Sequence, residues 1–176
     1  MTYKGKPITA AFFSASGGYT ENSEDYWNLK VPYLRSVSSP WDAKTNPNNQ
    51  ATVTLSLEEI FDKLGQQKPA KSVMNDKESS QKTFQIISTT SGKRVKEIRV
   101  GDQIYTGREV REKLGLKSSQ FSIATSKSEV KITTYGSGHG VGMSQWGANG
   151  MAKEGYTTTQ ILKHYYTGIS FQQVGQ

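Results

Sequence analysis

The fold class is indicated by the stretch Phe84-Gln-Ile-Ile-Ser-Thr-Thr-Ser-Gly-Lys-Arg-Val-Lys-Glu-Ile-Arg-Val100, with Thr106-Gly-Arg-Glu109 close behind it. Residues 84–90 and 95–100 predict two strands, because their β-branched and aromatic residues flank a Ser-Gly-Lys turn. The spacing of Thr106 and Glu109 is that of a capping box, which predicts a helix that ends at Gly115. A hairpin beside a capped helix is typical of an α+β fold, here one of antiparallel β-hairpins and several short helices.

The same signals recur on both sides of this stretch. Capping boxes at Ser56/Glu59 and Thr157/Gln160 predict helices over 57–64 and 158–166. Apolar runs and turn-forming residues predict the remaining elements: strands at 8–16, 52–55, 121–125 and 130–134, a helix at 144–153, and loops at 19–50 and 66–81. The length of 176 residues fits a single domain over 1–176.

Composition narrows the class of function. The chain has no cysteine, which excludes disulfides and thiol catalysis, and it has no apolar run long enough for a transmembrane helix. Its 22 basic and 15 acidic residues give a net charge of +7, which favours an anionic partner. The basic residues are scattered and form no dense patch, so nucleic acid is not predicted as a partner.

A candidate site is indicated by Gly138-His-Gly-Val-Gly-Met-Ser-Gln-Trp-Gly147, called here the 138–147 segment. Its glycines permit positive φ and close approach, and a helix is predicted just after them. The segment lacks the endings of a phosphate-binding loop and of a dinucleotide motif. His139 has no second ligand at metal-binding spacing, so its ring is expected to form a hydrogen bond within the site rather than to bind a metal. The alternative is a tight turn whose glycines serve packing alone.

A second candidate site is Ser14-Ala-Ser-Gly-Gly-Tyr-Thr-Glu-Asn22, the 14–22 segment, where polar side chains surround a Gly-Gly turn. The alternative is a turn whose polar groups cap the local backbone. Glu21 and Asp25 could be the paired carboxylates of a glycosidase, or a solvated face of one helical turn. Aromatic residues nearby could stack on sugar rings or pack in the core: Trp27, Tyr33 and Trp41. We predict that the two segments lie side by side and form one groove.

Three blocks follow one another along the chain. The first is Ser14-Ala-Ser-Gly-Gly-Tyr-Thr-Glu-Asn-Ser-Glu-Asp-Tyr-Trp27 with Pro32-Tyr-Leu-Arg-Ser-Val37 and Pro40-Trp-Asp42, the second is Gly107-Arg-Glu-Val-Arg-Glu-Lys-Leu-Gly-Leu-Lys-Ser-Ser-Gln-Phe121, and the third is residues 138–148. In content and order they resemble the stage II sporulation protein D family. The last block is similar to the closing G-H-G-V-G-M-S-Q-x-G-A motif of that family. The resemblance covers essentially the whole chain.

The resemblance implies a role in the bacterial cell wall. The family contains lytic transglycosylases that act on peptidoglycan during spore engulfment, and related amidase enhancers. The implied substrate is glycan whose stem peptides a partner amidase has removed, and the implied reaction is nonhydrolytic cleavage that leaves a 1,6-anhydro end. The implied partners are glycan strands, a cell-wall amidase and a membrane scaffold subunit, outside the cytoplasm at the cell wall or at a membrane anchor. No cofactor is implied.

A catalytic residue is not predicted within this chain. The acid of the family is a Glu in an upstream segment resembling E-A-L-K-A-Q, which has no counterpart here. We therefore expect the chain to be the C-terminal part of the domain, with the N-terminal segment missing or held on a separate fragment. The alternative is a non-catalytic amidase enhancer or glycan-binding module. Motif position implies these substrate-binding residues: Ser14, Ser16, Glu21, Asn22, His139, Ser144 and Gln145.

Overall fold

A computed structural model describes residues 1–67, 83–126 and 129–173. The fold class is α+β, as predicted, with short helices and mostly antiparallel strand pairs. The chain divides into two compact units. Unit 1 comprises Met1–Asn49 and Ser137–Gln176, and unit 2 comprises Gln50–Gly136, so unit 2 is inserted in the sequence of unit 1. None of the helices in the described ranges has the length and apolar character that a membrane span requires.

The elements run in this order along the described chain: β1 (Thr2–Tyr3), β2 (Lys6–Pro7), β3 (Phe12–Phe13), β4 (Gly18–Tyr19), α1 (Ser23–Trp27), β5 (Ser38–Ser39), α2 (Trp41–Thr45), β6 (Gln50–Ser56), α3 (Leu57–Leu64), β7 (Phe84–Thr89), β8 (Val95–Val100), β9 (Gln103–Thr106), α4 (Gly107–Leu114), β10 (Phe121–Ser126), β11 (Glu129–Tyr135), β12 (Met143–Ser144), α5 (Gln145–Lys153) and α6 (Thr158–Tyr165).

The described residues of unit 2 form two antiparallel three-stranded sheets, in the orders β7-β8-β9 and β10-β11-β6. Both predicted hairpins are confirmed, β7 with β8 and β10 with β11. Strand β9, which the sequence did not predict, pairs with β8 and leads directly into α4. Helices α3 and α4 bury one face each, and they pack with both sheets around an apolar core that includes Leu57, Ile60, Ile98, Val110 and Ile132.

The three predicted capping boxes are confirmed. At α3, the Ser56 hydroxyl accepts from the Glu59 amide at 3.1 Å, and the Glu59 carboxylate accepts from the Ser56 amide at 2.8 Å. The same reciprocal bonds begin α4 at Thr106 and α6 at Thr157. These helices begin where predicted because each box satisfies two backbone amides that a helix leaves without an internal partner.

Two sequence predictions in unit 1 are wrong. Residues 8–16 are not a continuous buried strand: β3 pairs in parallel with β12, Ala15 forms an isolated bridge with Ser137, and the Thr9 amide donates to the Tyr33 hydroxyl at 3.0 Å. Residues 19–50 are not a plain loop, because they contain α1, β5 and α2. Both helices are only five residues long, too short for hydrophobic periodicity to reveal. Most of the loop predicted at 66–81 lies outside the described residues.

Unit 1 has its own core. Buried apolar and aromatic side chains from the loop after α1, the 138–147 segment, α5 and α6 form it: Leu34, Val141, Met151, Ile161, Tyr165, Tyr166 and Ile169. The 138–147 segment joins this core through Val141 and Met143, and α5 joins it through Met151.

Candidate functional site

The 14–22 and 138–147 segments lie side by side, as predicted. β3 pairs with β12, and Ala15 exchanges two backbone hydrogen bonds with Ser137 at 3.0 and 2.7 Å. Farther along, the Glu21 amide donates to the Gly140 carbonyl at 2.8 Å. The Trp146 amide, in the first turn of α5, donates to the Ser14 carbonyl at 3.1 Å. The backbone itself therefore holds the two segments against each other along their length.

One glycine of the 138–147 segment shows why the contact is so close. Gly142 has a φ of +83°, and a Cβ there would lie 2.1 Å from the Ala11 carbonyl oxygen. No side chain fits in that space, so Gly142 permits both the turn and the approach of the neighbouring strand. The packing interpretation of the glycines is thus correct at this position.

The carboxylate of Asp42, fully buried on α2, lies where the two segments meet. Its Oδ1 accepts from the Ser16 amide at 2.7 Å and from the Ser144 hydroxyl. Its Oδ2 accepts from the hydroxyls of Ser16 at 2.9 Å and Ser39 at 2.7 Å. A buried carboxylate is stable only when such donors replace water. Sequence reasoning did not select Asp42, because nothing in Pro40-Trp-Asp42 indicates that the carboxyl is buried.

The hydrogen bonds around Asp42, which we call the buried cluster, extend to α6 and α5. The Ser39 hydroxyl lies 2.7 Å from the Tyr165 hydroxyl on α6, and burial raises the pKa of Tyr165 well above its usual value. The Ser144 hydroxyl caps α5 by accepting from the Gly147 amide at 3.2 Å. The N-terminus of α5, the positive end of its dipole, therefore lies beside the Asp42 carboxylate.

Two predicted substrate-binding residues, Ser16 and Ser144, belong to this buried cluster. Both side chains are fully buried, and both hydroxyls bond to Asp42. The structure gives them a role in joining the two segments. Direct contact with a substrate stays a prediction for both.

The remaining predicted residues of the 14–22 segment are also bonded within the protein. Glu21 is 1% exposed, and its Oε1 accepts from the Asn22 amide at 3.0 Å. The Asn22 side chain accepts from the Ser36 amide at 2.9 Å and donates to Asp25 at 3.2 Å. The solvated helical face considered for Glu21 and Asp25 is wrong for Glu21, because α1 begins only at Ser23. Ser14 is half-buried.

His139 is the predicted residue with the most distinctive surroundings. Its ring centroid lies 5.2 Å from that of Trp27, 5.7 Å from Tyr26 and 5.8 Å from Phe13. Nδ1 accepts from the Val141 amide at 3.1 Å, so the neutral ring carries its proton on Nε2. The expectation that this ring forms a hydrogen bond is confirmed. We call His139, Tyr26 and Trp27 the His139 site.

The His139 site reaches solvent. Trp27 is 38% exposed at the end of α1, and His139 and Tyr26 are half-buried beside it. Gln145, at the start of α5, is exposed as well. Among the three aromatic residues considered for sugar stacking, only Trp27 is placed here. Tyr33 packs on Tyr3, and the Trp41 indole donates to Glu154 at 2.7 Å.

An ion pair fixes α1, which carries the two aromatic rings of this site. Arg35 bonds bidentately to Glu24, with its Nη1 2.7 Å from Oε1, and also donates to the Ser23 hydroxyl at 3.1 Å. The hydrogen bonds from Arg35 lower the pKa of Glu24 from 4.5 to about 2. This carboxylate therefore stays charged in the folded state over a wider pH range than in the unfolded chain.

This shift predicts how acid affects stability. A depressed folded-state pKa contributes stability that is fully present above pH 4.5 and lost as the pH falls through about 2. We therefore expect Glu24→Gln to lower the free energy of unfolding near neutral pH and to lose this effect progressively across that window. Urea unfolding at a series of pH values measures the difference from wild type. Glu154→Gln, which removes the exposed pair with Lys44, is the control. If Glu24→Gln lowers the free energy of unfolding by the same amount at pH 4.5 and above as near pH 2, the prediction is wrong.

No group of three or more His, Cys, Asp or Glu side chains that could hold a metal ion occurs within 1–67, 83–126 and 129–173. The buried carboxylates of the site, Asp42 and Glu21, accept from protein donors.

No protein-family model matches the chain. Among curated proteins, it is 45% identical over 98% of its length to stage II sporulation protein D of Bacillus amyloliquefaciens, and 43% identical over 98% to that of Bacillus subtilis. It covers 47% and 48% of those two proteins, so the chain spans about half the length of the curated relatives it matches. It is also 30% identical over 97% of its length to the amidase enhancer of Bacillus subtilis, of which it covers 30%. These similarities confirm the resemblance to the stage II sporulation protein D family.

Proposed function

We propose that this chain, as a relative of stage II sporulation protein D, is the glycan-binding part of a peptidoglycan lytic transglycosylase that acts on the cell wall during sporulation. The observation that carries the proposal is the His139 site, an aromatic surface open to solvent beside two segments that match the family motifs. Aromatic rings with a polar neighbour suit ligands that present both apolar and hydroxyl-bearing faces, as sugar rings do.

Charge supports the same class of ligand. A glycan strand without stem peptides carries a lactyl carboxylate on each muramic acid, so it is a polyanion. The net charge of +7 on the chain attracts such a polymer. Both the ligand and the proposed reaction belong to the cell wall, and we propose an extracytoplasmic location for this reason.

Cleavage needs more than this site provides. A lytic transglycosylase needs a general acid within hydrogen-bond reach of the glycosidic oxygen. Glu21 is 1% exposed, so its carboxyl does not reach a strand bound at the surface. We propose that the acid comes from the upstream Glu segment typical of the family. Residues 1–176 alone are then expected to bind denuded glycan without releasing anhydro-muramyl products, which mass spectrometry measures. Products that disappear with Glu21→Gln would overturn this assignment.

The binding step is tested by Trp27→Ala. Truncating an exposed aromatic anchor is expected to weaken binding by about tenfold or more. Calorimetry with glycan strands stripped of stem peptides by an amidase measures this affinity. Phe171→Ala is the matched control, since Phe171 is 43% exposed in unit 1 and has no place in the His139 site. Equal affinities for wild type and Trp27→Ala would exclude the His139 site as the glycan contact.

The similarity to an amidase enhancer favours a second candidate function. In this alternative, the chain binds glycan or a cell-wall amidase and promotes removal of stem peptides without cleaving the strand. The two functions differ in a reconstituted reaction. An enhancer raises the rate of amidase product release when the chain is added alone. The transglycosylase function instead requires the upstream Glu segment and gives anhydro ends, with a partner amidase and a membrane scaffold subunit as its proposed assembly.

A further inference from the structure

We propose that Asp42 is a positioning residue, which fixes the 14–22 and 138–147 segments relative to each other and so assembles the His139 site. The inference deepens the proposed function and rests on it for its binding readout. Asp42 itself is fully buried, so it is not exposed to a ligand at the surface. Its effect on the site is exerted through the two serines that it holds.

The carboxylate is shared between the segments. From the 14–22 segment, Ser16 donates both its amide, at 2.7 Å, and its hydroxyl, at 2.9 Å. From the 138–147 segment, the Ser144 hydroxyl donates to Oδ1. Ser144 is the donor in this bond because an ionised carboxylate only accepts, and the Ser144 oxygen also accepts from the Gly147 amide. A single side chain on α2 thus bridges two segments that are far apart in sequence.

The side chain must be a carboxylate for this bridge. An ionised carboxylate only accepts hydrogen bonds, and the groups around Asp42 are all able to donate. An asparagine of the same shape would place two N–H groups among these donors, and at least one pairing would be lost. Asp42→Asn therefore tests the bridge with little change in volume.

The two bridged segments carry the two halves of the His139 site. Tyr26 and Trp27 follow the 14–22 segment on α1, whereas His139 precedes Ser144 in the 138–147 segment. When the bridge is broken, the remaining ties between these halves are backbone bonds such as that from Glu21 to Gly140. We expect the His139 ring then to shift against the Trp27 and Tyr26 rings.

The test compares Asp42→Asn, Ser144→Ala and Ser39→Ala. Ser144→Ala removes one arm of the bridge. Ser39→Ala is the matched control, because it also removes a buried hydroxyl bonded to Asp42, at 2.7 Å, but leaves both candidate segments attached. Three readouts are taken: the melting temperature, the imidazole proton shift of His139, and the affinity for amidase-stripped glycan. The chain has two histidines, and the imidazole signal that is lost in His139→Ala is the one that belongs to His139. Its chemical shift depends on the position of the Trp27 ring, because the ring current of that indole acts on the imidazole protons.

We expect all three variants to melt earlier than wild type. Asp42→Asn and Ser144→Ala should also change the chemical shift of the His139 imidazole. Both should weaken glycan binding by about tenfold, the effect expected when a buried hydrogen bond to a charged group is lost. Ser39→Ala should leave the resonance and affinity unchanged. If Asp42→Asn does not fold, Ser144→Ala decides alone. Lower melting temperatures with an unmoved His139 resonance would overturn the positioning role. A wild-type chain that does not bind glycan would overturn the proposed function, while the resonance would still test the bridge.

Discussion

Gly142→Ala is expected to destabilise unit 1 by about 4 kcal/mol or more. Two costs add at this position. The backbone has a φ of +83°, which is strained for any residue with a Cβ, by about 1–3 kcal/mol. The new methyl group would also lie 2.1 Å from the Ala11 carbonyl oxygen. Because that atom belongs to the backbone, relief requires the segment before β3 to move away from β12.

Gly5→Ala separates the two costs. Gly5 has nearly the same φ, +79°, but nothing lies within 4 Å of a Cβ built there. Gly5→Ala should therefore lower the free energy of unfolding by only about 1–3 kcal/mol. The three tryptophans of the chain, Trp27, Trp41 and Trp146, all belong to unit 1, so indole fluorescence during urea unfolding reports on this unit. Equal losses for Gly5→Ala and Gly142→Ala would show that the close approach at Gly142 carries no cost.

Gly147→Ala is expected to destabilise unit 1 by about 2–3 kcal/mol, against the expectation from helix propensity. In the interior of a helix, alanine is usually favoured over glycine by about 1 kcal/mol. Here a Cβ would lie 2.1 Å from the Tyr165 hydroxyl, 2.4 Å from the Ser39 hydroxyl and 2.6 Å from Asp42 Oδ2. The methyl group would thus disrupt the donors that keep the Asp42 carboxylate satisfied.

The sign of this change is the decisive result. Asn149→Ala, an exposed substitution on the same helix, is the control and should change the free energy of unfolding by less than about 1 kcal/mol. The same fluorescence-monitored urea unfolding measures both variants. A Gly147→Ala chain that is more stable than wild type would mean that the polar cluster accommodates the methyl group.

The sequence predicted unit 2 better than unit 1, for a physical reason. Helices α3 and α4 begin at capping boxes, and their apolar residues repeat with helical spacing, so local interactions are enough to define them. Unit 1 depends on long-range contacts instead. β3 is extended only because β12, about 130 residues later, pairs with it, and α2 packs against α5. No pattern within residues 8–16 contains that information.

The candidate site was predicted in part. Glycine spacing and family motifs identified the two segments, and their adjacency is confirmed. Which side chains face solvent could not be predicted, since Ser16 and Ser144 look like surface serines in the sequence but are fully buried. Asp42, Tyr26 and Phe13 were missed as neighbours of these segments. Their contacts with the candidate segments are mostly with residues more than a hundred positions away, apart from those of Asp42 with Ser16, and Asp42 also accepts from nearby Ser39.

The seven cross-strand pairs between β6 and β11 have a consequence for how this protein can change over evolutionary time. They run from Gln50 opposite Tyr135 to Ser56 opposite Glu129, so the two points where the chain enters and leaves unit 2 are immediate neighbours. A polypeptide spliced into a host at two adjacent points leaves the path of the host chain unchanged. Unit 2 is therefore an insertion whose two ends are held together by the pairing of β6 with β11. The part of unit 2 beyond these strands can be lengthened, shortened or exchanged between homologues. In the laboratory, the junction at β6 and β11 is the natural place to join a different module to unit 1.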